Sequence, residues 1–191
     1  MKKIISIIIR TLDEEKYLQE LIDGINAQET LSEFYHEVII VDSGSTDNTL
    51  NIAKHNNLKL VHIKKEEFSF GRSLNIGCDN AEGDIFVFIS GHCVPRDNVW
   101  LKNIVTPIEK GYEYVYGKQI GRDTTQFSEN QVFLRQYPSL SSIPQEGFFC
   151  NNATSAISRE IWRKYKFDES ITGCEDMELA KRYVADGGKV A

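Results

Sequence analysis

The chain has 191 residues, of which 41% are hydrophobic and 26% charged, with a formal net charge of −6 at pH 7. That length accommodates one domain with a sizeable core, and the composition excludes disorder as the default state. The acidic balance argues against a nucleic-acid partner, whose phosphates reward clustered Lys and Arg, while leaving room for a small anionic ligand held by a few local donors.

The chain begins MKKIISIIIRT. Its basic tip and short apolar run, with no small-residue cleavage site behind them, read as a first strand from Ile4 to Ile9. No stretch approaches the roughly 20 apolar residues of a membrane span. Thr11-Leu12-Asp13-Glu14 has the form of a capping box, and Leu18, Leu21, Ile22 and Ile25 then recur at helical spacing. Val38 to Val41 predicts a second strand, ending at Asp42 and a Ser43-Gly44-Ser45 loop. A helix over about Thr46 to His55 and a short strand over Leu58 to Ile63 follow. The next helix is predicted over Ser73 to Ala81. Gly83-Asp84 then turns into a buried strand, Phe86 to Ile89, which opens into Ser90-Gly91-His92-Cys93. Asp97 has the character of an N-cap for a helix with Leu101, Ile104, Val105 and Ile108 inward.

The second half is less regular. Tyr112 to Gln119 predicts a strand, and the polar stretch Gly121 to Pro144 holds a short helix around Glu129 to Gln136. Phe148 to Ser158 supplies one or two strands. Thr172-Gly173-Cys174-Glu175 is a second capping box, opening a helix to about Ala185. Lys189-Val190-Ala191 reads as a strand just beginning, so the expectation is that the C-terminus is truncated. The four cysteines, Cys78, Cys93, Cys150 and Cys174, show no CxxC and no metal-type pairing, which fits free thiols in a reducing compartment. Neither repeats nor a linker divide the chain.

Strands alternating with helices predict an α/β fold with a mainly parallel sheet and helices on both faces. In such sheets ligands bind beyond the carboxyl ends of the strands. That rule lines Arg10-Thr11, Asp42 and Ser90-Gly91-His92 along one rim. A nucleotidyltransferase would carry a Gly-rich phosphate loop near the first strand, and Ile9-Arg10-Thr11-Leu12 is not one. A dehydrogenase would show GxGxxG after a strand, and none is present.

Four segments, SIIIRTLDEEKYLQELIDGI, VIIVDSGSTDNTLNIAK, LNIGCDNAEGDIFVFISGHCVP and FDESITGCEDMELAKRY, together resemble glycosyltransferase family 2, the inverting enzymes of GT-A (Rossmann-like) fold. They stand in the family's order and, with the stretches between them, cover nearly the whole chain; VDSGSTD is the most telling piece. The resemblance implies a single domain over residues 1–191. Residues 1–95 would form the nucleotide-binding half and residues 96–191 the acceptor and catalytic half.

The resemblance further implies transfer of a sugar, with inversion, from a nucleotide-diphosphate sugar to an acceptor hydroxyl. Donors of UDP or dTDP type and a glycan or lipid-linked acceptor are expected, as in bacterial surface polysaccharide synthesis. A cytoplasmic location is expected with it, compatible with peripheral attachment to the inner face of the membrane. Arg10, Thr11 and Glu14 would line the nucleotide pocket, and Asp42 would hydrogen-bond the base, a carboxylate suiting an imino N–H. Asp176 matches the catalytic base, with Glu175 beside it.

The departures are specific. Leu12 stands where an aromatic often follows the first-strand Thr. Leu74 stands where an arginine often precedes the asparagine of the third helix, with Arg72 nearby as a substitute. Ser90-Gly91-His92 replaces the acidic DxD-type motif that commonly holds a divalent cation, Mn2+ or Mg2+, against the donor's diphosphate. His92 is expected as a metal ligand, an imidazole suiting Mn2+ better than Mg2+. Two other roles stay open for it: a cationic donor to the leaving diphosphate, or a structural histidine. Capping alone also explains Thr11, Glu14, Thr172 and Glu175. Phe68, Phe70 and Gly71 either shape a pocket wall or pack. Phe148, Phe149, Asn151 and Asn152 sit where the family places acceptor-side and sugar-contacting elements. The alternative to an enzyme is a catalytically degenerate module of the same fold that binds nucleotide sugars or glycans.

Overall fold

The computed structural model describes residues 3–29, 34–137 and 139–191; the first two residues of the basic tip lie outside them. Among the described residues six strands form one sheet in the order β3-β2-β1-β4-β6-β5. They are β1 (Lys3–Thr11), β2 (Phe34–Asp42), β3 (Lys59–His62), β4 (Ile85–Ser90), β5 (Tyr114–Tyr116) and β6 (Thr154–Ser158). The pairs β1–β2, β1–β4 and β2–β3 are parallel, whereas β6 runs antiparallel to both β4 and β5. The sheet is therefore mixed, with the expected parallel part in the first half. Val190 adds a parallel bridge to Tyr114, so the strand-like end does pair.

Among the described residues seven α-helices accompany the sheet: α1 (Leu18–Asn26), α2 (Thr49–His55), α3 (Phe70–Asp79), α4 (Trp100–Glu109), α5 (Phe127–Gln136), α6 (Arg159–Tyr165) and α7 (Glu175–Ala185). The central strands read as unbroken apolar runs because both of their faces are covered. Ile5, Ile7 and Ile9 of β1 join Ile85, Val87 and Ile89 of β4 under α1, α2 and α4. Ile8, Phe86 and Phe88 point the other way, into α3, α6 and α7. Helix α5 has no buried residue and stands outside both layers.

Several predicted boundaries move, each for a local reason. Thr11 caps nothing: it ends β1, and α1 begins only at Leu18, with Tyr17 as an N-cap that makes no side-chain bond. Thr172 caps nothing either, because Cys174 occupies the N-cap of α7 in the left-handed region. The N-cap of α4 is Val99, whose N–H donates to Asp97 Oδ1, so Asp97 acts two residues ahead of the cap. Helix α3 starts three residues ahead of expectation because Ser69 Oγ accepts from Arg72 N and caps it. Helix α6 was not anticipated, its apolar pattern being only Ile161-Trp162. Its signals are present nonetheless: Ser158 Oγ accepts from Ile161 N, Glu160 lies in the first turn, and Arg163 and Lys164 lie in the last.

Helix α3 sits close on the sheet because Gly77 has no side chain. A Cβ there would stand 2.5 Å from Ile8 Cγ2 and 3.1 Å from Val41 Cγ2. Both neighbours are β-branched and fully buried, so neither can swing aside. Gly77→Ala is expected to destabilise the fold by about 1–3 kcal/mol despite the better helix propensity of Ala, read as a lower urea midpoint at unchanged slope.

Candidate active site

At the carboxyl end of the parallel strands, two loops interlock. Asp42 closes β2 and is completely buried. Its Oδ1 accepts from Thr11 Oγ1 at 3.0 Å and from Ser45 Oγ at 2.5 Å, and its Oδ2 accepts from Gly44 N at 2.9 Å and Ser45 N at 3.0 Å. A carboxylate offers about four acceptor positions, and all four are taken. In this geometry Asp42 shapes the Ser43–Ser45 loop, and contact with a base requires one of these bonds to open. Asp13, at positive φ, accepts from Thr46 N and Asp47 N, while Ser45 Oγ accepts from Asp13 N. Glu14 N donates to Thr49 Oγ1 at 2.8 Å. The residues of the supposed first capping box thus tie β1 to the loop after β2.

One strand further along, a cavity of about 250 Å³ opens beside the ends of β1 and β4. Arg10, Phe70, Ser90 and residues 151–153 and 173–176 line it. Arg10 is largely buried, its guanidinium 3.5 Å from Glu175 Oε1 and stacked 5.0 Å above the centroid of the Phe70 ring. Burial lowers the basicity of Arg10, and the charges of Glu175 and Asp176 oppose that loss. Burial likewise pushes the Glu175 carboxyl above its ordinary range; Arg10 pulls it back and the charge of Asp176 adds to the rise. Glu175 therefore faces Arg10, and its place at the start of α7 is more than a helix cap.

Asp176 is half-buried and held from both sides. Asn152 N donates to its Oδ2 at 3.0 Å and Met177 N to its Oδ1 at 2.8 Å. Each oxygen keeps a free acceptor position, so the carboxylate is oriented yet still able to take a proton. Ser90 N donates to Ala153 O at 3.2 Å, joining the two walls of the cavity.

The other expected residues lie elsewhere on the rim. His92 Nδ1 is 3.0 Å from Glu14 Oε1, with the imidazole 59% exposed. Gly91 makes that approach possible, since a Cβ would meet Glu14 Cγ at 2.8 Å. Arg72 turns away from the cavity toward Glu67, 3.7 Å distant on the surface. The neighbouring Phe70 lines the cavity. Asn152 and Phe70 drew only loose expectations from the sequence, because an isolated amide or aromatic has no local signature.

The Glu14 hydrogen bond raises the basicity of His92 above its ordinary value, against burial and the charges of Arg10 and Arg122. A raised value in the folded state contributes stability that is full below about pH 6.5 and is lost as pH rises through the folded value. Glu14→Gln is thus expected to cost up to about 1 kcal/mol at acidic pH and less at about pH 9, the pair being exposed. Urea titrations at the two pH values check the difference.

The donor set does not suit a protein-made cation site. Among the described residues no group of three or more His, Cys, Asp or Glu side chains could hold a metal ion. His92 and Glu14 supply one nitrogen and one carboxylate already bonded to each other, where a divalent ion asks for more free ligands. Among the described residues His92 therefore stands as a lone imidazole, paired with Glu14. Among the described residues no helix is long and apolar enough to cross a membrane, and all four cysteines are free.

The chain matches the family described as Glycosyl transferase family 2 over residues 6–166. A Methanococcus voltae protein named dolichyl N-acetyl-alpha-D-glucosaminyl phosphate 3-beta-D-2,3-diacetamido-2,3-dideoxy-beta-D-glucuronosyltransferase is 29% identical across 97% of this chain and 63% of its own length. The O-antigen chain rhamnosyltransferase of Salmonella anatum is 25% identical across 81% of this chain and 53% of its own. The chain thus spans 63% and 53% of the length of these two relatives. Among solved structures, a mannosyltransferase from Pyrobaculum calidifontis in complex with GDP-Man and Mn2+ superposes with a TM-score of 0.75 at 20% identity, covering 100% of this chain and 54% of its own. Staphylococcus aureus TarS 1-349 in complex with UDP-GlcNAc gives 0.74 at 22% identity, covering 100% of this chain and 56% of its own. These likenesses establish the GT-A fold. With the match running through every strand that builds the cavity rim, the chain belongs to glycosyl transferase family 2.

Proposed function

We propose that the chain forms the catalytic part of an inverting glycosyltransferase that moves a sugar from a nucleotide-diphosphate donor to an acceptor hydroxyl. One observation carries this reading: an oriented, half-buried Asp176 shares a cavity with the Arg10 guanidinium and the end of β4. Residues 1–191 act as one unit in it, residues 1–95 serving the nucleotide and residues 96–191 the acceptor and the base.

The reaction is a single displacement. The acceptor oxygen forms a bond to the anomeric carbon as the bond from that carbon to the diphosphate oxygen breaks, and the electron pair leaves with the diphosphate. The acceptor proton passes to Asp176 as general base. Arg10 supplies positive charge where the leaving group accumulates negative charge, in a site where burial strengthens the interaction. Glu175 positions Arg10. His92, paired with Glu14, presents a second cationic donor at the β4 end, the role left open beside metal ligation. Thr11 and Asp42 hold the Ser43–Ser45 loop against which the nucleoside lies.

Donors of UDP or dTDP type and a glycan or lipid-linked acceptor remain the expected substrates. The names of the relatives, the dolichyl N-acetyl-alpha-D-glucosaminyl phosphate glucuronosyltransferase and the O-antigen chain rhamnosyltransferase, support polysaccharide or glycan synthesis. The test combines occupancy with turnover. Titration with UDP-GlcNAc, dTDP-rhamnose and GDP-Man, with and without Mn2+, is expected to show binding by at least one donor. Release of the nucleoside diphosphate from that donor is expected to depend on Asp176. Binding whose turnover is untouched by Asp176→Asn, or absent altogether, would support the degenerate binding module instead.

A further inference from the structure

Among the described residues one buried tyrosine hydroxyl has no hydrogen-bond partner. Tyr137 is the C-cap of α5 and 3% exposed, and its Oη is the unpaired group. The two tyrosines of β5 differ from it: Tyr114 Oη donates to Asn152 Oδ1 at 3.1 Å, and Tyr116 Oη to Gln145 Oε1 at 2.7 Å. Packing alone holds the Tyr137 ring, with the ring centroids of Phe149, Tyr116 and Phe133 at 6.1, 6.4 and 6.4 Å. A phenylalanine would fill the same space without stranding a hydroxyl. A buried polar group left unpaired lowers stability, and native proteins keep such a group where function uses it.

The surroundings say what the hydroxyl meets. Burial pushes the Tyr137 phenol far above its ordinary value, and the charges of Tyr116, Asp176, Cys150 and Cys93 add to the rise. The Oη therefore lies within electrostatic reach of the proposed base, of the turn after β4 and of the loop before β6, the elements that frame the cavity. A phenol shifted this way stays protonated, so it donates a hydrogen bond and leaves the acceptor's proton to Asp176. Its cover is light. Between Val115 and Cys150, Tyr137 is the only buried residue among those described, and Phe127, Leu134 and Leu140 of that stretch are exposed. A segment with so little burial opens locally at small cost, which gives a ligand beside Asp176 access to the hydroxyl.

We propose that Tyr137 Oη donates a hydrogen bond to an oxygen of the bound acceptor, beside the hydroxyl whose proton Asp176 takes, which makes Tyr137 a specificity-determining residue for the acceptor. The inference rests on the transferase reading above. An acceptor lacking that oxygen would leave the phenol buried and unpaired, so Tyr137 favours hydroxyl-rich acceptors of glycan type.

Steady-state transfer to octyl glycosides of glucose, galactose, N-acetylglucosamine, mannose and rhamnose tests this, with UDP-GlcNAc, dTDP-rhamnose and GDP-Man as donors. For the pair used best by the wild type, Tyr137→Phe is expected to lower kcat/KM for the glycoside about tenfold, while nucleoside diphosphate affinity stays within about twofold. Its urea midpoint should equal or exceed that of the wild type, because the lost hydroxyl bonds to nothing in the free protein. Tyr116→Phe supplies the contrast. It loses the bond to Gln145, so its urea midpoint should fall while kcat/KM for the glycoside stays within about twofold. Four results overturn the proposal while the transferase reading stands: equal kcat/KM in wild type and Tyr137→Phe, an equal loss in both variants, a lowered midpoint or unfolding of Tyr137→Phe, or diphosphate release that no glycoside accelerates. Failure of the wild type to act on any of these donors overturns both.

Discussion

Asp176→Asn is expected to lower kcat for sugar transfer by about 10²–10⁴-fold while leaving the donor KM nearly unchanged. The substitution is close to isosteric, and its amide oxygen can still accept from either Asn152 N or Met177 N, the two groups that now orient the carboxylate. What disappears is the capacity to take the acceptor's proton as the new bond forms. A group needed only in the transition state affects kcat and kcat/KM together, and this pattern separates loss of the base from loss of binding. Steady-state kinetics at saturating acceptor, with nucleoside diphosphate affinity measured on the same preparation, provides both numbers. A variant within about tenfold of wild-type kcat would falsify the assignment of Asp176 as base. Glu175→Gln gives a useful contrast. It removes the charge facing Arg10 at 3.5 Å, so its effect should appear in diphosphate affinity as well as in rate.

The largest stability effect is expected at Asn75, in the middle of α3. This side chain is 3% exposed and makes four hydrogen bonds. Its Nδ2 donates to Phe167 O and Glu169 Oε1, each at 2.9 Å, and its Oδ1 accepts from Trp162 Nε1 and Phe167 N, each at 3.1 Å. One amide therefore ties α3 to α6 and to the segment that leads into α7. Asn75→Ala would strand the Trp162 indole N–H and both backbone groups of Phe167 in the interior. Each buried group left unpaired costs about 1–3 kcal/mol, so a total of at least about 3 kcal/mol is expected. For a chain of this size that corresponds to a melting temperature lower by about 6–12 °C. Thermal and urea unfolding check it, and a loss under about 1 kcal/mol would show that water replaces the amide. Activity should fall as well in the folded fraction, because the loosened 166–174 segment carries Asp176 at its end.

Strands β1, β2 and β4 were legible because burial on both faces forces each to be apolar throughout, a pattern contained within one short stretch. Helices α1 and α4 were legible through the spacing of Leu18, Leu21, Ile22 and Ile25 and of Leu101, Ile104 and Val105. The alternation of strands and helices then implied a parallel sheet and a ligand rim at Arg10, Asp42 and Ser90. The antiparallel insertion of β6 between β4 and β5 was not legible, since strand order depends on partners about 65 residues apart in the chain and on no local preference.

The site divides along the same line. The family resemblance pointed to Asp176, Glu175, Arg10 and Ser90, and the fold brings these four to one cavity. Short-range patterns misled where a tertiary partner proved stronger: Thr11 turned from a cap to Asp42, and Glu175 turned to Arg10. Arg72 was drawn out to Glu67, leaving Phe70 to face the ligand side. Asn152 was tied down by Tyr114 and Ser155, which both donate to its oxygen from distant or buried positions. By itself the sequence determined which segments are buried and therefore which strands end at the rim, because hydrophobic burial writes a periodic pattern into the chain. Only the tertiary structure decided which polar group meets which, because a hydrogen bond between distant residues leaves no periodic trace and competes on equal terms with local capping.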